Sequence, residues 1–203
     1  MSVLLDLIGS VVLAGFVMLM GLRLNANMNN SNGSYKADVI VQENLVSLVE
    51  TIEYDFRKMG YGVTDPTKVI LRAESTSIKF RGDIDANGVI DTVEWFLGGL
   101  VTSTPNPSDR ILYRRIYPTS TGGVSLTGAL PGVTVFNLKY LNHESQPPAG
   151  LGQIWIVETT LRVESPWRVQ NRTVDEQDYD LWAYSAAFWR QTRLASRNLK
   201  RHG

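Results

Sequence analysis

LIGSVVLAGFVMLMGL, residues 7–22, contains no charged side chain, and how it is read decides the fold. With Val3, Leu4 and Leu5 it forms an apolar run of about 20 residues. At about 1.5 Å per helical residue this matches the roughly 30 Å hydrocarbon core of a bilayer. The run reads as a membrane-spanning helix occupying residues 1–24, with lipid contact through residues 3–24. A cleaved secretory signal would want a basic segment before the run and a small-residue cleavage site after it. Nothing basic precedes Leu7, and the following RLNANMNN offers only a poor site at Ala26. Asp6 is the exception within the span. A carboxylate at the centre of a membrane helix costs about 2.5 kcal/mol or more, and less near an end. It reads either as a headgroup-level residue or as the partner of an amine or arginine on a neighbouring subunit. Arg23, just after a run with nothing basic before it, points by the positive-inside tendency toward a cytoplasmic C-terminal side.

Working outward, NANMNNSNGS (residues 25–34) is rich in weak helix formers and reads as a flexible joint. Residues 35–62 then return to a helical pattern. Leu45, Leu48, Val49, Ile52, Phe56 and Met59 recur at three- and four-residue steps and share one face. Gly60 supplies a C-terminal stop, and Arg57 and Lys58 suit the negative end of the helix dipole.

From residue 63 to 190 the pattern changes to strands. KVILRA, TSIKFR, IDTVEWFL, RILYRRIY, VTVFNLKYL, QIWIVETTLRVE and LWAYSAAFW alternate in polarity and are rich in β-branched and aromatic residues. TSTPNPSDR, TSTGGVSLTGALPG and NHESQPPAGLG read as surface loops. Such alternation predicts an antiparallel sheet that receives the apolar helix face on one side, an α+β head behind a membrane anchor. Residues 191–203 form a basic tail.

Composition narrows the chemistry. The chain has 203 residues, 43% of them hydrophobic, enough for one main core. Lysine plus arginine balance aspartate plus glutamate at 20 each, so no overall field favours nucleic acid, and none is expected as a partner. There is no cysteine, and His143 and His202 are the sole histidines, which excludes thiol chemistry and leaves little for histidine catalysis. No Ser-His-Asp set, phosphate loop or metal-histidine cluster appears, so a non-enzyme is expected.

Several segments together resemble the type IV pilin-like proteins, most closely the larger minor pilins and minor pseudopilins of type IV pilus or type II secretion systems. They are the apolar N-terminal helix with its early acid, the helix ending YDFRKMGYGV, the hairpin IKFRGDIDANGVIDTVEWFL, then LPGVTVFNLKYLN and the closing AFWRQTRLASRNL. The resemblance spans most of the chain in short, degenerate pieces. It implies inner-membrane anchoring by a single helix, a periplasmic or extracellular head, and assembly with other pilin-like subunits and assembly-machine proteins. For Asp6 it implies the role of the family's early glutamate, thought to pair with a neighbouring subunit's amino terminus. Family precursors carry a short basic leader ending in glycine; this chain begins MSVLLDLIG, so the leader is either missing here or was never cut.

One motif stands apart. In RGDIDANGVIDTVEW (residues 81–95) the pattern D-x-[DN]-x-[DN]-G-x5-E is matched by Asp83, Asp85, Asn87, Gly88 and Glu94, with Asp91 at the position that often acts through water. A hard dication takes about 6–8 oxygens, and alternate side chains of a curled loop can converge on it. The candidate calcium ligands are Asp83, Asp85, Asn87, the Val89 carbonyl, Asp91 and Glu94. Strands flank the motif where a calcium-binding helix-loop-helix would have helices, and Glu94 aligns with Thr92, opposite Val93 and Trp95. Asp-x-Asp and Asn-Gly also form hairpin turns with no ion, so both readings stand.

DEQDYD (residues 175–180) and the five basic residues from Arg190 onward read as a solvated edge and tail, or as complementary patches between subunits. Trp155, Trp167, Trp182 and Trp189 read as core or sheet-surface aromatics, and His143, beside Pro147 and Pro148, as exposed and inert. The expected function is a structural subunit of an envelope filament or secretion machine. The alternative is a membrane-tethered periplasmic binding or enzymatic domain with a calcium-stabilised loop.

Overall fold

A computed structural model describes residues 2–117, 125–170, 182–195 and Leu199. The DEQDYD segment and most of the basic tail lie outside the described residues.

The helix α1 runs unbroken over Ser2–Lys58, 57 residues, or about 85 Å at 1.5 Å per residue. It has two halves with different surroundings. Every residue from Val3 to Gly33 is exposed. From Ser34 onward a stripe of Ala37, Val41, Leu45, Leu48, Ile52, Phe56 and Met59 is buried, each at 9% exposure or less. The expected joint at residues 25–34 is therefore helix and not a break. Asparagine, serine and glycine each cost a helix up to about 1 kcal/mol, but none blocks it as proline would. Propagation from the buried half adds one backbone bond per residue. Local side-chain bonds also fit the helix, Asn29 Nδ2 to Asn25 Oδ1 at 3.3 Å and Ser34 Oγ to the Asn30 carbonyl at 3.1 Å. The stop at Gly60 is as read, with φ at 77°.

Seven strands follow in a meander: β1 Ile70–Glu74, β2 Ser77–Gly82, β3 Asp91–Leu100, β4 Arg110–Tyr117, β5 Ser125–Leu141, β6 Ile156–Gln170 and β7 Trp182–Ala195. They form one antiparallel sheet in chain order. The architecture is α+β, a long N-terminal helix on an antiparallel sheet. Each strand read from the sequence is present. Two boundaries move: β7 extends to Ala195, past the expected edge of the head, and residues 125–132, expected as loop, form the first half of β5. That half pairs with β4 (Ile116 with Ser125, Arg114 with Thr127), while the second half pairs with β6 from Val133 to Leu141. Val133 alone is common to both ladders. Gly132, at φ 99°, makes the turn between halves, and a Cβ there would lie 2.7 Å from the Glu164 carbonyl oxygen.

The core is one cluster. The α1 stripe meets Ile78, Phe80, Val93, Trp95 and Leu112 from β2–β4, and Val133, Phe136, Leu138, Leu161 and Val163 from β5 and β6. Fully burying such a side chain is worth about 1.5–3 kcal/mol. Phe56 meets Phe80 edge-on at 5.8 Å. One carboxylate sits inside this apolar contact. Asp55, at 0% exposure, receives Arg114 in a two-point pair, Nε to Oδ2 at 2.6 Å and Nη2 to Oδ1 at 2.7 Å. Trp95 Nε1 donates to the same Oδ2 at 2.8 Å. The hydrogen bond to Asp55 raises the Arg114 pKa further above its usual value.

Asp55→Ala should cost about 3–5 kcal/mol, because it strands a largely buried guanidinium. Asp55→Leu combined with Arg114→Met should recover part of that loss, leaving about 1–3 kcal/mol for the unpartnered Trp95 N–H. Urea unfolding of the single and double variants measures both quantities.

Candidate functional site

The β2–β3 connection carries the calcium-like motif. Asp83, Asp85 and Asp91 bring carboxylate oxygens within 4.8 Å of one another; Asp83 and Asp91 are buried and Asp85 is exposed. The loop closes because Asp83 caps it: Oδ1 accepts from Asn87 N at 3.0 Å and Oδ2 from Gly88 N at 2.9 Å. Asp85 accepts from Asn87 N at 3.3 Å and Asn87 Nδ2 at 2.8 Å, while Asn87 Oδ1 accepts from Val89 N at 2.7 Å. Ala86 at φ 61° and Gly88 at φ 84° provide the left-handed turns the curl needs. Three carboxylates so close repel one another, and the loop N–H groups donated to Asp83 and Asp85 offset part of that.

Glu94 is elsewhere. It lies on β3 on the face away from α1, where its Oε1 accepts from Arg72 Nη1 at 3.1 Å and its Oε2 from the Tyr117 hydroxyl at 2.7 Å. Arg115 Nη1 is 3.5 Å from the same Oε2. The strand period explains this, since residues 92 and 94 share a face opposite Val93 and Trp95. Around it Lys79 lies 4.2 Å over the Tyr117 ring and Arg115 4.9 Å over Phe96. The structure thus brings three of the motif's acids together and commits the fourth to a cation-aromatic cluster.

The loop is fastened to the end of α1. Gly60 N donates to the Arg81 carbonyl at 2.8 Å, Asp83 N to the Tyr61 carbonyl at 2.9 Å, and Tyr54 Oη to the Ile84 carbonyl at 2.9 Å. Gly82 is the closest approach: a Cβ there would sit 2.4 Å from the Lys58 carbonyl oxygen.

Asp6 is exposed within the apolar half of α1 and has no partner among the described residues. This helix is long and apolar enough to cross a membrane, and its most apolar window is 0% buried.

Sequence reasoning missed three buried acids, Asp55, Asp109 and Glu164. Asp55 had a signal, because it falls on the helical face of Ile52, Phe56 and Met59. Asp109 had none: it is fully buried in the turn before β4, where Oδ1 accepts from Gly132 N at 2.6 Å and Oδ2 has no partner among the described residues. Beside it buried Asn106 donates to Glu164 Oε2 at 3.0 Å and to the Ser165 carbonyl at 3.2 Å, joining the β3–β4 connection to β6.

A comparison with models of protein families finds none that matches the chain, and a comparison with curated proteins finds no matching sequence.

Gly82→Ala should lower stability by about 1–3 kcal/mol, since its methyl would meet backbone that cannot give way without parting hairpin from helix. Gly99→Ala, whose added methyl meets nothing within 4 Å, is the control and should stay within about 0.5 kcal/mol. Thermal melts of both variants decide it.

Proposed function

We propose that this chain is a structural pilin-like subunit, akin to a minor pilin or minor pseudopilin, of an envelope filament or secretion machine. The observation that carries the reading is one unbroken helix whose first half is apolar and exposed while its second half is the core of the head. A simple tether could end in a linker; a continuous helix fixes the head rigidly relative to the span, as lateral packing of many subunits requires. In this reading residues 3–24 lie in the inner membrane, the head is periplasmic or extracellular, and the partners are other pilin-like subunits and assembly-machine proteins. Asp6 pairs there with a cationic group of a neighbour, because a lone carboxylate in lipid is costly.

The second reading, a tethered binding domain, is favoured by the acidic loop. Its oxygens suit calcium, held by Asp83, Asp85, Asn87, the Val89 carbonyl and Asp91, with Glu94 left in its arginine cluster. Calcium would add positive charge among the three acids and brace the hairpin against the end of α1. The two readings are compatible, since a structural subunit gains from such a brace.

Asp6→Ala should leave the chain in the membrane fraction but reduce its co-purification with other subunits, as expected when one member of a low-dielectric pair is removed. Unchanged assembly would return Asp6 to the headgroups. Calcium at about five times its Kd should stabilise the head by about 1 kcal/mol, a rise in Tm of about 2–4 °C. Asp83→Asn with Asp85→Asn should abolish that response, and equal melting in chelator and calcium would leave the loop a hairpin turn.

A further inference from the structure

The β5–β6 connection, which the proposed function does not use, forms a second site. A pocket of about 520 Å³ opens between Asn142 and His143 at the end of β5 and Gly152, Gln153 and Trp155 before β6. Its size falls in the range of small-molecule sites, roughly 300–1,000 Å³. Trp155 is half-buried, and His143 leans on its ring at 5.6 Å and 53°. The aromatic wall is thus braced on one side and open on the pocket side.

The polar groups are oriented by the loop itself. Asn142 Oδ1 accepts from Glu144 N and from Gln146 N, both at 2.9 Å. Gln153 Oε1 accepts from Ala149 N at 3.0 Å. Both amide oxygens are taken by backbone donors, which fixes the flip of each side chain. The two NH₂ ends, Asn142 Nδ2 and Gln153 Nε2, therefore remain as donors with no partner among the described residues. The lining residues include no lysine or arginine among the described residues, and His143 Nε2 lies 3.6 Å from Glu144 Oε1. Fixed donors without fixed positive charge select against phosphate and carboxylate as the main determinant. They select for a neutral acceptor next to an apolar surface.

We infer that this pocket binds an N-acetylated hexosamine unit of a glycan. The acetamido carbonyl is a neutral acceptor of the kind that a carboxamide NH₂ group in the lining can meet. The apolar face of the sugar ring and the acetamido methyl supply the surface that the Trp155 ring covers. The fold holds the site firmly. Trp155 N donates to the Leu141 carbonyl at 2.9 Å, and a short 3-10 turn at Leu151–Gln153 packs Gly152 against Thr67. His143, inert as the sequence was read, instead braces the aromatic wall.

The test uses the full chain in phospholipid nanodiscs, free of sugar-headgroup detergent. Binding is followed by titration calorimetry and by saturation-transfer NMR, which reports the sugar protons that touch the aromatic ring. The probes are the tetramer of N-acetylglucosamine, cellotetraose as the same backbone without acetamido groups, and the N-acetylglucosamine–N-acetylmuramic acid disaccharide. The expected result is binding of the N-acetylglucosamine tetramer with saturation transfer at the acetamido methyl, and binding of cellotetraose weaker by about tenfold or more. Gln153→Glu keeps the oxygen that Ala149 needs but replaces the donor, so it should weaken binding without altering the melting curve. Trp155→Phe should weaken it through the smaller platform. Binding of the muramic disaccharide as well as the tetramer would point to cell-wall glycan as the source, and binding of the neutral tetramer alone to a surface glycan. The inference is overturned if no probe binds at 10 mM (about the weakest useful affinity), if cellotetraose binds equally, or if both variants bind as the parent does. None of these outcomes bears on Asp6 or filament assembly, so the proposed function stands or falls separately.

Discussion

One helix carries two different surface patterns. Over residues 3–24 α1 is apolar on nearly every face and long enough to cross a membrane, where lipid would offer no partner to an unsatisfied polar group. From Ser34 to Met59 the same helix must be apolar on one stripe only, because the opposite face meets water. The stretch between is where the two demands change over, and it is filled by asparagine, serine and glycine. These residues suit neither lipid nor a protein core, yet they need not break the helix, and no backbone bond has to be given up there. Continuity is what allows the position of the head to depend on the position of the apolar half.

Within the head, the contact of α1 with β3 and β4 depends on Asp55. An apolar residue at that position would have extended the stripe, but it would have left Arg114 and the Trp95 N–H buried without acceptors. With Asp55 in place, one carboxylate oxygen serves both Trp95 and Arg114, from adjacent strands. A buried ion pair of this kind adds little net stability over a well-packed apolar substitute. What it adds is register. The helix cannot rotate or slide by one turn without stranding a charge, whereas a purely apolar stripe tolerates such slips.

This distinction explains what was legible in the sequence. The strands could be read because period-two alternation is local, and the helical stripe because its period is local as well. The β5 boundary was hidden: SLTGALPG looks like loop, and only pairing with β4 on a strand bent at Gly132 makes residues 125–132 extended. The joint at residues 25–34 was misread because propensity weighs residues one at a time, while a helix held by its buried half propagates cooperatively. In the acidic motif, spacing correctly grouped Asp83, Asp85 and Asp91. It could not assign Glu94, whose partners Arg72, Arg115 and Tyr117 come from strands on both sides of β3. Asp109 and the donors of Asn142 and Gln153 were out of reach for the same reason, since their meaning lies in contacts with distant backbone.

The chemistry of the head is not spread evenly along it. Near the start of its buried half α1 is held to β7, where Ser185 Oγ donates to Asp38. At the opposite end of that strand Ala195 pairs with Ile156, next to Trp155. The Trp155 pocket therefore lies at the C-terminal end of α1, remote from its exposed apolar half, and the acidic loop is fastened to the same end through Tyr54 and Tyr61. The two short 3-10 turns at Pro66–Lys68 and Leu151–Gln153 meet there through Gly152 and Thr67. The buried half of α1 separates the exposed apolar half from the pocket and the acidic loop, so a change at one end need not disturb packing at the other. Transmission between the ends would have to pass along that helix, and Asp55, which fixes its register against the sheet, is the residue that resists it.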